Sequence, residues 1–246
     1  MKKVLSLILV IVAVACVMTA CVPPADNNPP VDNTPPAVDP NAKSEGTMTH
    51  AEYVAAELNS EVVIEGFVQG KQSWWDNKAS IYLQDGVGGY FVYEMACTEA
   101  EYEQLTVGTK IKVTGYRAEW AGEAEVDSGA TFEIVGTDKW VAEATDVTAL
   151  LGTDELIAKQ NMYVSFKEMT VVSIEFKGGA AGDDIYVNLS KDGQEYSFCV
   201  ERYLTGPETD VYKAVSELKA GDVVDLEGFL YWYNGPNTHI TGVTVK

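Results

Sequence analysis

Residues 105–116, LTVGTKIKVTGY, decide the fold when set beside residues 218–229, LKAGDVVDLEGF, which follow at an ungapped offset of 113 residues. Leu105, Gly108, Ile111, Val113, Gly115 and Tyr116 align with Leu218, Gly221, Val224, Leu226, Gly228 and Phe229, and Gly122 aligns with Gly235. Each copy reads as a helix end, a glycine stop, an alternating strand and then a glycine followed by an aromatic. The glycine behind the helix suits a left-handed cap. The glycine inside the strand suits a bulge or a sharp bend. Two such passages at one spacing point to an internal duplication.

Outward from the first passage the period is that of strands. Val62-Val63-Ile64 opens one running to about Lys71, Ile81-Tyr82-Leu83 a second, and Tyr90 to Tyr93 a third. Asp85-Gly86 and Gly88-Gly89 between the last two supply hairpin turn chemistry. Thr98 to Glu101 reads as a capping box opening a short helix before Gly108. The Ile111 strand is the fourth, and Thr131-Phe-Glu-Ile134 is expected to be the fifth. In the second half, Tyr163–Phe166 with Val171–Ile174, then Ile185–Val187, Tyr196–Val200, Val224–Leu226 and His239–Val245 repeat the order, with Asp210 expected to cap a helix through Leu218.

This order, three strands, a helix and two strands, is that of the OB-fold, a five-stranded Greek-key barrel. Residues 60–136 and 161–246 resemble it. The expected fold class is therefore all-β with short helices, built as two tandem OB-fold-like barrels. Tandem modules of this kind resemble those of bacterial surface lipoproteins and those found beside extracellular nucleases. Fold alone assigns no activity.

The N-terminal segment gives an address. Lys2 and Lys3 precede an apolar run, Val4 to Val17, and Met18-Thr19-Ala20 leads into Cys21. The run is short for a membrane span and reads as a secretory signal. Its end resembles the lipobox of bacterial lipoproteins, which implies cleavage after residue 20 and an acyl (palmitate-type) anchor on Cys21. Cys16 is the poorer candidate. The expected location is extracytoplasmic, on a cell membrane or outer envelope, with the membrane as a partner through the lipid. Pro-Pro pairs at 23, 29 and 35 then mark residues 21–46 as a polyproline-type tether rather than a core. Behind it, Thr49 to Glu52 is a second capping box opening a helix to about Leu58. The organisation expected is thus 1–20 signal, 21–46 tether, 47–140 first barrel with this helix, and 141–246 connector and second barrel. The connector, 144–161, reads as two short capped helical turns and has no proline to hold the barrels apart, so a packed pair is expected.

The formal net charge is −20, and no segment is basic. Such a chain repels polyanions, whose binding depends on Lys and Arg neutralising phosphates, so nucleic acid ranks below other partners. Cys97 and Cys199, one per repeat, are expected to be small core hydrophobes. The only histidines, His50 and His239, form no metal spacing with them. No serine sits in a nucleophile-elbow setting, and no phosphate-binding glycine loop is present. Asp183-Asp184 has no EF-hand spacing and reads as an acidic hairpin rather than a Ca²⁺ site. No catalytic residue, metal or cofactor is therefore expected.

The candidate site residues are aromatic. Trp74 and Trp75 follow the first strand, Trp120 ends the fourth, and Tyr231, Trp232 and Tyr233 lie between the last two strands of the second repeat. OB barrels bind ligands on the face of strands 2 and 3 and with the 1–2 and 4–5 loops, where these fall. In an extended Trp74-Trp75 segment only one ring can face inward. The expected function is a non-enzymatic, lipid-anchored binding or adaptor protein, its ligand an oligosaccharide or an envelope protein. Single-stranded nucleic-acid binding in a nuclease system is the alternative. A carboxylate hydrolase comes last.

Overall fold

The structure, a computed structural model, describes residues 38–246. The signal segment, Cys21 and most of the tether lie outside the described residues. Among those described, no helix is long and apolar enough to cross a membrane.

A six-residue helix, α1 (His50–Ala55), opens the described chain, and its Thr49/Glu52 capping box is formed in both directions. It stops at Ala55, short of Leu58, where Ala56 turns to extended backbone. Five strands then close a barrel: β1 (Glu61–Lys71), β2 (Lys78–Gln84), β3 (Gly89–Ala96), β4 (Thr109–Trp120) and β5 (Glu123–Val126). The order is β1-β2-β3-β5-β4, and β4 returns to β1. β3 and β5 are parallel, as Greek-key closure requires. Helix α2 (Glu99–Gln104) lies between β3 and β4 and carries the second reciprocal capping box, Thr98/Glu101.

The fifth strand is a correction. Thr131–Ile134 belongs to β6 (Thr131–Lys139), which pairs only with β4, outside the barrel. The closing strand is the four-residue β5, Glu-Ala-Glu-Val. Both of its glutamates are buried.

The second barrel repeats the scheme. A two-residue β7 (Thr145–Asp146) runs parallel beside β8 (Tyr163–Phe176). β9 (Ile185–Lys191), β10 (Gln194–Val200), β11 (Val223–Phe229) and β12 (His239–Val245) complete it, and β11 pairs back to β8. Its helix, α3 (Asp210–Ser216), is capped by Thr209 rather than Asp210; the Thr209 hydroxyl accepts the Tyr212 N–H. The connector forms two 3₁₀ turns, Thr148–Leu150 and Asp154–Lys159, and neither has a side-chain cap.

The duplication holds at the level of single hydrogen bonds. Gly108 and Gly221 have φ of +85° and +94°. Each turns the chain out of its helix so that its N–H reaches a β1-type strand, at Val68 O (2.7 Å) and Val171 O (2.8 Å). Leu105, Ile111 and Val113 enter one core, and Leu218, Val224 and Leu226 the other. Cys97 and Cys199 are buried and free, one per barrel.

One aligned pair breaks the symmetry. Tyr116 is exposed, whereas Phe229 is buried, because Phe229 faces the other barrel. It joins Tyr82 and Phe91 in a third apolar cluster between the two cores, with Tyr163, Leu204 and Tyr231 at its edge. The barrels are a packed pair.

Candidate ligand-binding clefts

The way the barrels dock determines which ligand faces stay open. In barrel 1 the middle of the β2–β3 face is covered. Phe229 stacks on Tyr82 at 4.3 Å between centroids, and Tyr231 meets Phe91 edge-on at 5.5 Å. Gly70 on β1 makes the fit possible: a Cβ there would lie 2.6 Å from Phe229 Cε2. In barrel 2 the strand corresponding to β1 carries exposed Glu175 opposite Tyr186 instead. Among the described residues nothing docks there, and the β9–β10 face is open.

Polar contacts fix the register between the barrels. The β4–β5 hairpin of barrel 1 is held by Gln160, whose Nε2 donates to Gly122 O (2.8 Å) while its Oε1 accepts Ala124 N–H (3.0 Å). Asn161 Nδ2 donates to Ala124 O. Glu123 Oε2 accepts the Trp232 N–H at 2.7 Å, and Asn234 N–H reaches Ala121 O at 2.7 Å. The two 4–5 loops are thereby locked together.

A cleft of about 490 Å³ remains at the 1–2 loop end of barrel 1, walled by Trp74, Trp75, Lys78, Tyr93, Glu94 and Tyr203. Asp76 and Asn77, at φ +49° and +58°, form the tight turn that shapes it, with Trp75 and Lys78 exchanging both backbone hydrogen bonds. The two tryptophans divide as alternation demands. Trp74 packs on the core and donates from Nε1 to Cys97 O (3.0 Å), while Trp75 is 66% exposed. Lys78 lies over the Trp75 ring at 5.1 Å but is paired with Glu94 at 2.7 Å. Tyr203 comes from barrel 2, and its carbonyl accepts the Ser73 N–H at 2.7 Å.

The larger cleft, about 680 Å³, lies on the β9–β10 face of barrel 2 beneath its 4–5 loop. Its aromatic walls are Tyr186, Tyr196, Tyr231 and Tyr233, and Trp120 of barrel 1, 62% exposed, closes one side. Asp184, Glu195, Glu201, Asn234 and Asn237 supply polar groups, and among the described residues no lysine or arginine lines it. Each cleft is thus completed by one aromatic from the other barrel.

The floor is rigid. Tyr231 stacks on His239 at 4.4 Å, and His239 Nδ1 lies 2.8 Å from the Tyr82 hydroxyl. Burial lowers the His239 pKa to about 4, so the ring is neutral, and its Nδ1 shares one hydrogen bond with the Tyr82 hydroxyl. Burial also raises the Glu201 carboxyl, with neighbouring Asp184 adding to the effect. Behind the wall, burial holds Glu123 well above the ordinary carboxylate range and, with Asp127, lifts Glu125 to about 7.

Of the six aromatics expected from sequence, Trp74 and Trp75 share one cleft, and Trp120, Tyr231 and Tyr233 share the other. Trp232 lines neither of these two; its ring packs on the second barrel's core. Sequence reasoning missed Tyr93, Tyr186, Tyr196 and Tyr203. Tyr93 and Tyr186 sit at outward positions on strand 3 and strand 2 of their barrels, a signal that alternation carries, whereas Tyr196 shares the inward parity of Phe198 and packs at the edge of the second core. Tyr203 follows β10 in a loop and has no local signal. Asp184 is committed to Lys177 (2.9 Å) and to the Arg202 N–H (3.0 Å), and among the described residues no group of three acidic, His or Cys side chains is placed to hold a metal.

No protein-family model matches the chain, and no curated protein matches it. Among solved structures it is similar to a murine DNA-binding protein bound to double-stranded DNA, at 13% identity, covering 76% of this chain and 97% of that one, with a TM-score of 0.35. It is also similar to the p202 HIN1 domain in complex with a 12-mer double-stranded DNA (12% identity, 85% and 99% coverage, TM-score 0.35). A Replication Protein A heterotrimer bound to single-stranded DNA is similar at 10% identity, 81% and 69% coverage and a TM-score of 0.30. These likenesses concern the barrel fold and nothing finer.

Proposed function

We propose that this chain is a non-enzymatic binding protein, displayed outside the cell by a lipid on Cys21, that holds an oligosaccharide in the barrel 2 cleft. The observation that supports this most is the cleft lining: five aromatic rings with amide and carboxyl groups between them and no cation. Aromatic faces cover the apolar face of a sugar ring, while the Asn234 and Asn237 amides donate to or accept from hydroxyls and the carboxylates accept from them. The cleft lies on the strand 2–3 face and 4–5 loop by which OB barrels take ligands. A glycan array probed with the full chain in detergent tests it. Binding should be lost in a Trp120→Ala, Tyr186→Ala double variant that keeps the wild-type circular dichroism. Wild-type binding by that variant, or no glycan retained at all, would sink the reading. Retention only by an envelope-protein array would move the assignment to a protein ligand. Loss of palmitate labelling in Cys21→Ala tests the anchor.

A second reading, single-stranded nucleic acid, is favoured by one observation at the barrel 1 cleft. There Lys78 lies over Trp75 and Arg202 over Tyr203, the mixture of cation and ring that meets a base and its phosphate. Against it, Lys78 is neutralised by Glu94 at 2.7 Å, and Arg202 lies 3.7 Å from Asp183. Fluorescence anisotropy with labelled oligonucleotides at low salt decides: salt-dependent binding lost in Trp75→Ala would establish it, and no binding would remove it.

A further inference from the structure

The barrel 2 cleft carries a charge that a neutral sugar does not use. Three carboxylates line it: Asp184, Glu195 and Glu201. Asp184 is balanced by Lys177 at 2.9 Å. Glu201 spends its two oxygens on backbone donors, accepting Tyr203 N–H at Oε1 and Leu204 N–H at Oε2, which neutralise nothing. Glu195 is exposed. Among the described residues neither Glu195 nor Glu201 has a lysine or arginine within ion-pair distance. Tyr186, Tyr196, Tyr231, Tyr233 and Trp120 line the same cleft as these carboxylates.

Two physical terms then select the same guest. A cation over an aromatic face is attracted by the ring quadrupole, and the more so when desolvated. An unpaired carboxylate at the same wall adds Coulomb attraction that the half-enclosed site screens less than bulk water does. An anionic guest meets repulsion from both, and a neutral one gains from neither. Long-range charge acts in the same direction, since the net charge is −20.

We infer that the barrel 2 cleft takes a cationic glycan, one whose rings carry free amino groups, with the ammonium seated between Glu201, Glu195 and the tyrosine faces. This rests on the oligosaccharide reading and narrows it to a chemical class.

The test is isothermal titration of the full chain, in detergent, with glucosamine oligomers and with fully N-acetylated oligomers of the same length, near pH 6. The free-amine oligomers should bind at least about tenfold more tightly and weaken with added salt. Glu201→Gln and Glu195→Gln should each reduce that preference several-fold and leave the acetylated ligand unchanged. Glu155→Gln, on an exposed turn far along the connector, controls for diffuse attraction of a polycation to an acidic protein. Equal or tighter binding of the acetylated oligomer would overturn the inference and leave the oligosaccharide reading standing. A Glu155→Gln effect as large as that of Glu201→Gln would overturn it as a site. No binding of either oligomer would overturn both.

Discussion

Phe229 lies flat on Tyr82, with ring centroids 4.3 Å apart and planes 6° from parallel, and this pair joins two barrels that arose from one sequence pattern. The position aligned with Phe229 in the first repeat, Tyr116, stands in solvent. The same register thus serves as a docking residue in one copy and a surface residue in the other.

Replacing Phe229 with Ala should remove most of the apolar seam while leaving both cores intact. Truncating a buried Phe typically costs about 3–5 kcal/mol. Calorimetry should show a lower first transition and the separation of one unfolding event into two. A single transition shifted by less than a degree would contradict the assignment. Gly70→Val should act similarly, by pushing the ring off Tyr82.

Glu123 is expected to be a neutral acid at pH 7. It is fully buried, Oε2 takes the Trp232 N–H, and Oε1 and Asn161 Oδ1 are two buried acceptors without a partner in the absence of a proton. A proton on Oε1 can be shared with Asn161. Glu123→Gln, which keeps a neutral donor and acceptor, should therefore change stability by less than about 1 kcal/mol, whereas Glu123→Ala strands the Trp232 N–H and should cost about 1–3 kcal/mol. Denaturant melts of both variants at pH 7 check the order; a Gln variant as damaged as the Ala variant would refute it.

Two groups give opposing pH slopes. The His239 pKa falls to about 4 in the fold from 6.5. The unfolded chain then binds the extra proton first, so stability is lost as pH falls from about 6.5 toward 4. Glu125 is raised to about 7 from 4.5, so the folded chain binds the extra proton, and stability is lost as pH rises from about 4.5 to 7. His239→Asn should flatten the acid side of the profile and Glu125→Gln the neutral side. Thermal melts between pH 4 and 8 would show this, and an unchanged acid limb in His239→Asn would be the contrary result.

The capping boxes offer a local check. Thr98→Ala frees the Glu101 N–H that the hydroxyl accepts at 3.3 Å, and should cost roughly 1 kcal/mol. Thr209→Ala should cost a similar amount, and Asp210→Ala clearly less, because Thr209 is the cap. Urea melts that rank Asp210→Ala worse would reverse that assignment.

What the chain discloses in advance is what local physics controls. Thr49/Glu52 and Thr98/Glu101 satisfy each other within one turn, and the positive φ of Gly108 and Gly221 goes with the exit from a helix. β5 stayed hidden because a buried Glu123 is acceptable in a strand only once the other barrel arrives to supply the Trp232 N–H. Trp74 and Trp75 could be assigned opposite faces from alternation alone. Trp232 resembled its neighbours in sequence, but which ring turned inward was settled by the packing of the whole 4–5 loop. Tyr203 reaches its cleft only through docking, which leaves no trace in residues 201–205 themselves.

The exchange of walls, Tyr203 into one cleft and Trp120 into the other, makes any occupant a splint. A molecule gripping both walls binds the docked arrangement and not the separated one, so its binding free energy adds to the seam. Saturating ligand should thus fuse the two transitions that Phe229→Ala separates. A half-length fragment, however well folded, would retain its rings and lose its grip.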